Sequence, residues 1–273
     1  MPPRAGSRTW RRDSSDNRKR DDRWLQKLEA ANQFLAQLPA HEIEPLRPHW
    51  EPVFYGVKDV ISRPNGPLRY AVFPLDAVLS LISSMEDGKN VAVHLVGSEG
   101  LLGIRALLGA TSSVYTTIVR IPGSCLRIRL EAIQPAFRRG GLLQQAALNY
   151  ASRVIEELSQ TAACNRVHLL EQRLARWLLM LQSRCRKDDF SITHESLAQM
   201  LGSPRSEVTI SAGILRKAGL IDYGRGGMKI MDRKGLEAVS CKCSRTEKAA
   251  SSGRYKAFSV GTPLQPQEIS RVH

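Results

Sequence analysis

The chain has 273 residues, enough for one or two domains of ordinary size, and its 42% apolar content excludes wholesale disorder. Lysines and arginines number 40 against 26 acidic residues, and the net charge of +14 indicates a polyanionic partner, nucleic acid before an anionic membrane surface. Five cysteines exclude a disulfide scaffold and favour a reducing compartment. No apolar run approaches the roughly 18 residues of a transmembrane helix. We therefore predict a cytoplasmic protein without membrane association.

The positive charge is unevenly distributed along the chain. Residues 24–137 carry no net charge, whereas residues 138–243 carry +7. This layout is typical of a sensing or assembly domain attached to a nucleic-acid-binding domain. The two ends, residues 1–23 at +4 and 244–273 at +3, are poor in apolar residues and are predicted to be disordered basic tails.

The first predicted body, residues 24–137, opens with a helix and continues as short strands. Apolar residues at helical spacing predict a helix over residues 24–38 that ends at Pro39. Between about residues 52 and 130, β-rich runs alternate with turn signals. The runs are Ala71–Pro74, Val78–Ile82, Val91–Val96, Thr116–Ile121 and Cys125–Ile128. Their spacing predicts an antiparallel β-roll of about eight strands, and the fold class is α+β.

Residues 138–168 form the next predicted element, a long helix with one apolar stripe. The stripe consists of Leu143, Ala147, Tyr150, Val154, Leu158, Thr161 and Cys164, separated by steps of three or four residues. A helix of this length at a domain junction needs a partner for its apolar side, and a second copy of the chain is the simplest one. Packing against the chain's own β-domain is the alternative.

Residues 169–243 have the pattern of a winged helix-turn-helix. After an amphipathic helix over residues 169–181, Thr193 is a predicted N-cap and Gly202 ends the helix that it begins. Ser203 is predicted to cap a second helix, with Pro204 in its first position. Two β-rich runs, residues 220–223 and 228–231, then flank a glycine-rich tip that carries Arg225.

The second of these helices has an outer face suited to the major groove of DNA. We predict that Arg205, Ser206 and Thr209 face base edges. Arg216, Lys217 and Arg225 are predicted to hold phosphates, with Thr193 and Ser203 nearby. A helical pair with merely solvated charges is the alternative.

Two segments resemble the C-terminal domain of Crp/Fnr-type transcription regulators of bacteria. They are residues 193–202 (THESLAQMLG) and residues 215–221 (LRKAGLI), and the upstream order of roll, long helix and short helix is similar. The resemblance covers roughly residues 28–243. It implies a cyclic-nucleotide-binding-like roll that reads a small-molecule or redox signal. It also implies a homodimer on a two-fold site in double-stranded DNA, with recognition helices about 34 Å apart and RNA polymerase as a further partner.

The chain departs from the family pattern at several positions. Ser206 replaces a glutamate and Ile210 stands where a second arginine is common, so the operator cannot be inherited from the family. Gly103 is followed by Ile104, and Tyr115-Thr116 replaces the Arg-Ser pair that holds a cyclic phosphate. We therefore predict that cyclic AMP is not the effector, which stays unknown. Because no cysteine precedes Cys125, the N-terminal iron–sulfur cluster of some members is not expected either.

The remaining candidate sites are weak in the sequence. Cys241 and Cys243 give only half of a tetrahedral metal site, and no His or Cys pair at finger spacing completes it, so no metal is predicted. Cys164 is interpreted as a small buried apolar residue, with an intersubunit disulfide as the alternative. Since no catalytic motif is found, an enzyme is not expected. The alternative function is a ligand- or protein-binding module with only non-specific DNA affinity.

Overall fold

The computed structural model describes residues 18–224, 226–241 and 243; the described residues as far as Cys241 belong to one structural unit and Cys243 to a second. The N-terminal elements are α1 (Arg18–Ala31), α2 (Gln33–Ala36), α3 (Ala40–Ile43), a 3-10 helix (Glu44–His49), β1 (Glu51–Tyr55), β2 (Val60–Ser62), β3 (Tyr70–Pro74), β4 (Val78–Ser84), β5 (Asn90–Val96), α4 (Ile104–Leu107), β6 (Thr116–Ile121), β7 (Gly123–Arg129) and α5 (Leu130–Arg138). The C-terminal elements are α6 (Leu142–Val167), α7 (Leu170–Cys185), β8 (Asp189–Ser191), α8 (His194–Leu201), α9 (Arg205–Lys217), β9 (Ile221–Tyr223), β10 (Gly227–Ile230) and α10 (Arg233–Val239).

The β-roll consists of two antiparallel sheets, in the strand orders β1-β7-β3 and β2-β6-β4-β5. Seven strands of the described residues build it, where the sequence predicts about eight, and all five predicted runs are strands. The central strand β7 pairs with β1 on one side and with β3 on the other. Its residues Cys125, Leu126 and Ile128 are buried. The predicted α+β architecture of roll, long helix and C-terminal helix-turn-helix is confirmed.

The predicted helix over residues 24–38 is interrupted at Asn32, and this part of the prediction is wrong. Its side chain is fully buried and caps α2, with Oδ1 accepting the Leu35 N–H at 3.1 Å. Its Nδ2 donates to the carbonyls of Pro74 and Gly100, both at 2.9 Å. An asparagine that satisfies three buried backbone groups ends α1 there, which helical periodicity alone does not reveal.

The chain covers only some of the apolar residues of the long helix. Leu143, Ala147 and Tyr150 are buried in a core shared with the roll and α5, as the alternative interpretation of the stripe expects. A different pair, Leu148 and Ile155, is exposed. These two residues lie seven positions apart and therefore share one side of α6, which leaves this side uncovered within the chain.

A buried ionic cluster joins the roll, α6 and α7. Arg184 Nε donates to Glu99 Oε1 at 2.8 Å, and Arg184 Nη2 donates to both carboxylate oxygens of Glu157 at 2.8 and 2.7 Å. His94 Nδ1 lies 3.3 Å from Glu157 Oε1. Burial raises the pKa of Glu157, but the attraction of Arg184 and His94 outweighs it and holds this pKa well below its usual range. The carboxylate is therefore charged, and the cluster fixes the junction between the roll and the C-terminal domain.

Among the residues that the structure describes, no helix combines the length and the apolar character needed to span a bilayer.

Candidate nucleic-acid interface

Two helices, α8 and α9, form the helix-turn-helix, and their boundaries are set by local chemistry. The Thr193 hydroxyl accepts the Ser196 N–H at 3.1 Å, which confirms the predicted N-cap of α8. Gly202 ends α8 in the left-handed conformation with φ of 60°, which a glycine adopts without strain. Buried Leu197, Ala198 and Leu201 fix the inner side of α8, as predicted.

The start of α9 differs from the prediction. Pro204 is the N-cap residue and Arg205 is the first helical residue, so the expected capping role of Ser203 is wrong. The Ser203 hydroxyl instead points back and donates to the Leu201 carbonyl at 3.4 Å. No side chain caps this end of α9, which leaves its first backbone N–H groups directed out of the domain.

The inner and outer sides of α9 are those that the sequence predicts. Val208, Ala212 and Leu215 are buried in the core of the C-terminal domain. Arg205, Ser206, Thr209 and Ile210 are exposed, all four on or next to the first two turns of the helix. At 65% exposure, Ile210 is an apolar group in the middle of an otherwise polar surface.

A short hydrogen-bonded chain orders the centre of this surface. The Thr209 hydroxyl donates to the Arg205 carbonyl at 2.9 Å and lies 3.0 Å from His194 Nδ1. Because the only hydroxyl proton is used on the carbonyl, Nδ1 of His194 carries a proton and donates to Thr209. Burial and the charge of Arg205 lower the pKa of His194, which favours the neutral ring. His194 was not singled out in the sequence, where nothing in its spacing points to Thr209.

The cations at the far end of α9 have different environments. The Arg216 Nε donates to Asp222 Oδ1 at 2.9 Å, and its guanidinium lies 4.9 Å from the centre of the Tyr223 ring. These contacts tie α9 to β9 and hold the guanidinium in one orientation. Lys217 is exposed. The predicted wing is formed by antiparallel β9 and β10, with β8 as an additional third strand, whereas Arg225 at its tip lies outside the described residues.

Comparison with known proteins identifies this C-terminal domain. Residues 172–239 match the model of the Crp-like helix-turn-helix domain. The chain thus contains a Crp-like helix-turn-helix domain. It is similar to the transcriptional regulator SdrP of Thermus thermophilus, at 29% identity over 198 residues, which are 70% of this chain and 94% of that protein.

Two solved structures have the same fold as this chain. FixK2 from Bradyrhizobium japonicum superposes with a TM-score of 0.60 at 13% identity, covering 70% of this chain and 96% of that one. A CRP-family transcriptional regulator from Thermus thermophilus superposes with a TM-score of 0.58 at 19% identity, covering 68% and 95%. At these identities the two structures support the arrangement of roll, long helix and helix-turn-helix, and not a shared ligand or operator.

The roll contains a cavity of about 470 Å³ between its sheets and α6. Most of its lining is apolar. Arg127 is one of three arginines that line it, and its Nε donates to Glu51 Oε2 at 2.9 Å while its guanidinium lies 4.4 Å from the centre of the Tyr70 ring. The other two, Arg69 and Arg105, are exposed. Tyr115 also lines the cavity, at the place where the sequence predicts the loss of the phosphate-binding arginine.

Proposed function

We propose that this regulator binds an inverted-repeat DNA site as a homodimer and reads its sequence with α9. The exposed outer face of α9 carries the proposal, because it presents Arg205, Ser206 and Thr209 together on a helix whose other side is buried. Arginine suits the guanine edge, and the small hydroxyl side chains suit several bases. Exposed Ile210 adds an apolar group for a thymine methyl. Arg216, Lys217 and Arg225 are assigned to phosphates.

The uncovered side of α6 supports the homodimer. Leu148 and Ile155 are exposed on the helix that connects the roll to the helix-turn-helix, and burying them costs no polar group its partner. A second copy packed along α6 would cover the same residues of both chains by two-fold symmetry. Such a dimer carries two copies of α9, as a site of two half-sites about one DNA turn apart requires.

The cavity of the roll is assigned to an effector that is more apolar than a cyclic nucleotide. A buried phosphate needs a cationic partner, and Arg127 is already held by Glu51. Arg69 and Arg105 are exposed and so offer a phosphate a hydrated contact rather than a buried one. The aliphatic lining therefore supports an uncharged or aromatic signal molecule, and cyclic AMP is excluded from the proposal.

Two substitutions on α9 distinguish base recognition from phosphate contact. On the preferred site, Arg205→Ala should lose about 1–3 kcal/mol of discrimination at one base pair of each half-site, because a bidentate contact to guanine disappears. Lys217→Ala should weaken binding to all sequences alike and lower the salt dependence by about one counterion per subunit. Binding measured by fluorescence anisotropy on the preferred site and on single-base variants of it, across a salt series, reports both effects.

Lys89→Ala is the matched control, since Lys89 is an exposed cation in the turn between β4 and β5 of the roll. It should leave both base preference and salt dependence unchanged. If Arg205→Ala and Lys217→Ala lose equal affinity on every sequence, the base-reading role of Arg205 is wrong. The chain would then be a binder with only non-specific DNA affinity.

A further inference from the structure

Three potential metal ligands meet at the C-terminal end of α6. Cys164 lies in the last turn of that helix, His168 is its C-cap residue, and Cys241 follows the last helix of the DNA-binding domain. The ligand atoms of these three residues lie within 4.8 Å of one another. We propose that they bind one tetrahedral divalent metal ion of the zinc class.

The spacing of the two thiols matches such an ion. The sulfurs of Cys164 and Cys241 are 3.8 Å apart. Two thiolates at about 2.3 Å from a zinc ion, at the tetrahedral angle, stand about 3.8 Å apart. A disulfide would bring the sulfurs to about 2.0 Å. The observed separation therefore favours a single ion between the two sulfurs.

The surroundings of the thiols favour a bound cation. Cys164 and Cys241 are buried, 77 residues apart in the chain, so the fold rather than local sequence brings them together. The side-chain amide of Gln160 donates to the Cys164 sulfur at 3.4 Å, as outer hydrogen bonds to metal-bound thiolates do. Thiolate and imidazole ligands in a tetrahedral set select zinc and exclude magnesium or calcium, which prefer oxygen.

The ion would connect the end of the long helix to the end of the DNA-binding domain. Cys164 and His168 belong to the end of α6, and Cys241 belongs to the end of the helix-turn-helix domain. A bound ion would thus fix the DNA-binding domain to the long helix and stabilise the folded chain by mass action. Binding of the ion does not rest on the proposed dimer or operator, and its test uses no DNA.

The test is a titration of the full chain, purified under reducing conditions and stripped of metal, with Co²⁺ followed by Zn²⁺. We expect saturation at one Co²⁺ per chain, visible bands of a tetrahedral ion and near-ultraviolet absorption from two thiolates. Zn²⁺ should then displace Co²⁺ and abolish the bands. If no saturable tetrahedral spectrum appears at one equivalent, the proposal is overturned.

Variants assign the ligands. Cys164→Ser and Cys241→Ser should each lower Co²⁺ affinity by at least about 100-fold, since changes beyond the direct ligands already cost 10- to 100-fold. His168→Gln should do the same. Cys185→Ser, a buried cysteine of α7 outside the cluster, is the matched control and should titrate like the unmodified chain. Unchanged affinity in Cys164→Ser or Cys241→Ser overturns the site.

A measurement on the unmodified chain avoids any loss of folding in the variants. Zn²⁺ should slow the alkylation of Cys164 and Cys241 at least tenfold more than that of Cys125 and Cys185, as read by mass spectrometry. Equal protection of all five cysteines would indicate general stabilisation and would contradict a site at this position.

Discussion

Replacing Arg184 with alanine is expected to lower the free energy of unfolding by about 3–5 kcal/mol. The Arg184 side chain is only 6% exposed and forms three hydrogen bonds to Glu99 and Glu157. Removing it leaves two carboxylates without their shared cation in the junction of the roll, α6 and α7, where the Glu157 side chain is only 19% exposed. Urea denaturation followed by circular dichroism measures the loss.

Lys89→Ala is the control for this prediction, because Lys89 pairs with Asp87 in an exposed hairpin. Exposed ion pairs contribute little, and we expect a change of less than about 1 kcal/mol. A loss below about 1 kcal/mol for Arg184→Ala would show that solvent reaches the cluster. The junction would then be held mainly by the apolar core that α7 shares with the roll.

Replacing Ile155 with glutamate is expected to break the homodimer and lower operator affinity by about 10³-fold. Ile155 is 64% exposed on the uncovered side of α6, and a buried glutamate at a two-fold interface would face its own copy. A monomer has one half-site to read, and its affinity falls towards the non-specific level. Analytical ultracentrifugation gives the oligomeric state, and fluorescence anisotropy gives the operator affinity.

Met85→Glu is the matched control, since Met85 is an equally apolar, exposed residue that lies in the roll. It should leave both the oligomeric state and the operator affinity unchanged. A dimer that survives Ile155→Glu would place the interface elsewhere on the chain, and the account of α6 would be wrong.

The local parts of the fold are predictable from the sequence because their causes are local. The Thr193 hydroxyl accepts a hydrogen bond from the backbone N–H three residues later, and Gly202 adopts a conformation that favours glycine. A single residue therefore determines each end of α8. The alternation of β7 and the inner side of α9 follow equally from periodicity. Only the start of α9 is predicted wrongly, because the Ser203 hydroxyl donates back to the Leu201 carbonyl and does not cap α9.

The missed features depend on contacts between distant residues. Asn32 interrupts a helix because the carbonyls of Pro74 and Gly100 lie beside it. Strand β8 has only three residues and depends on its pairing with β10, so periodicity in the sequence does not predict it. The sequence shows the apolar stripe of α6 as one continuous surface, whereas in the structure the roll covers part of it.

The candidate sites show the same division. The exposed groups of α9 were predicted, because a face of a helix is set by spacing. The contact of His194 with Thr209 and the meeting of Cys164 with Cys241 were not, because each joins two different elements. Spacing within the C-terminal segment does not show that Cys241 meets Cys164 and His168 at the end of α6.

Selection of bound fragments from a random DNA pool by the full chain, followed by affinity measurements across a salt series, tests the central claim most directly. We predict an enriched inverted repeat whose half-sites lie about one helical turn, or 34 Å, apart. Affinity for this repeat should exceed that for unrelated DNA by at least about 10³-fold at physiological salt. Steep salt dependence without any enriched sequence would contradict sequence-specific regulation and leave only a non-specific binder of nucleic acid.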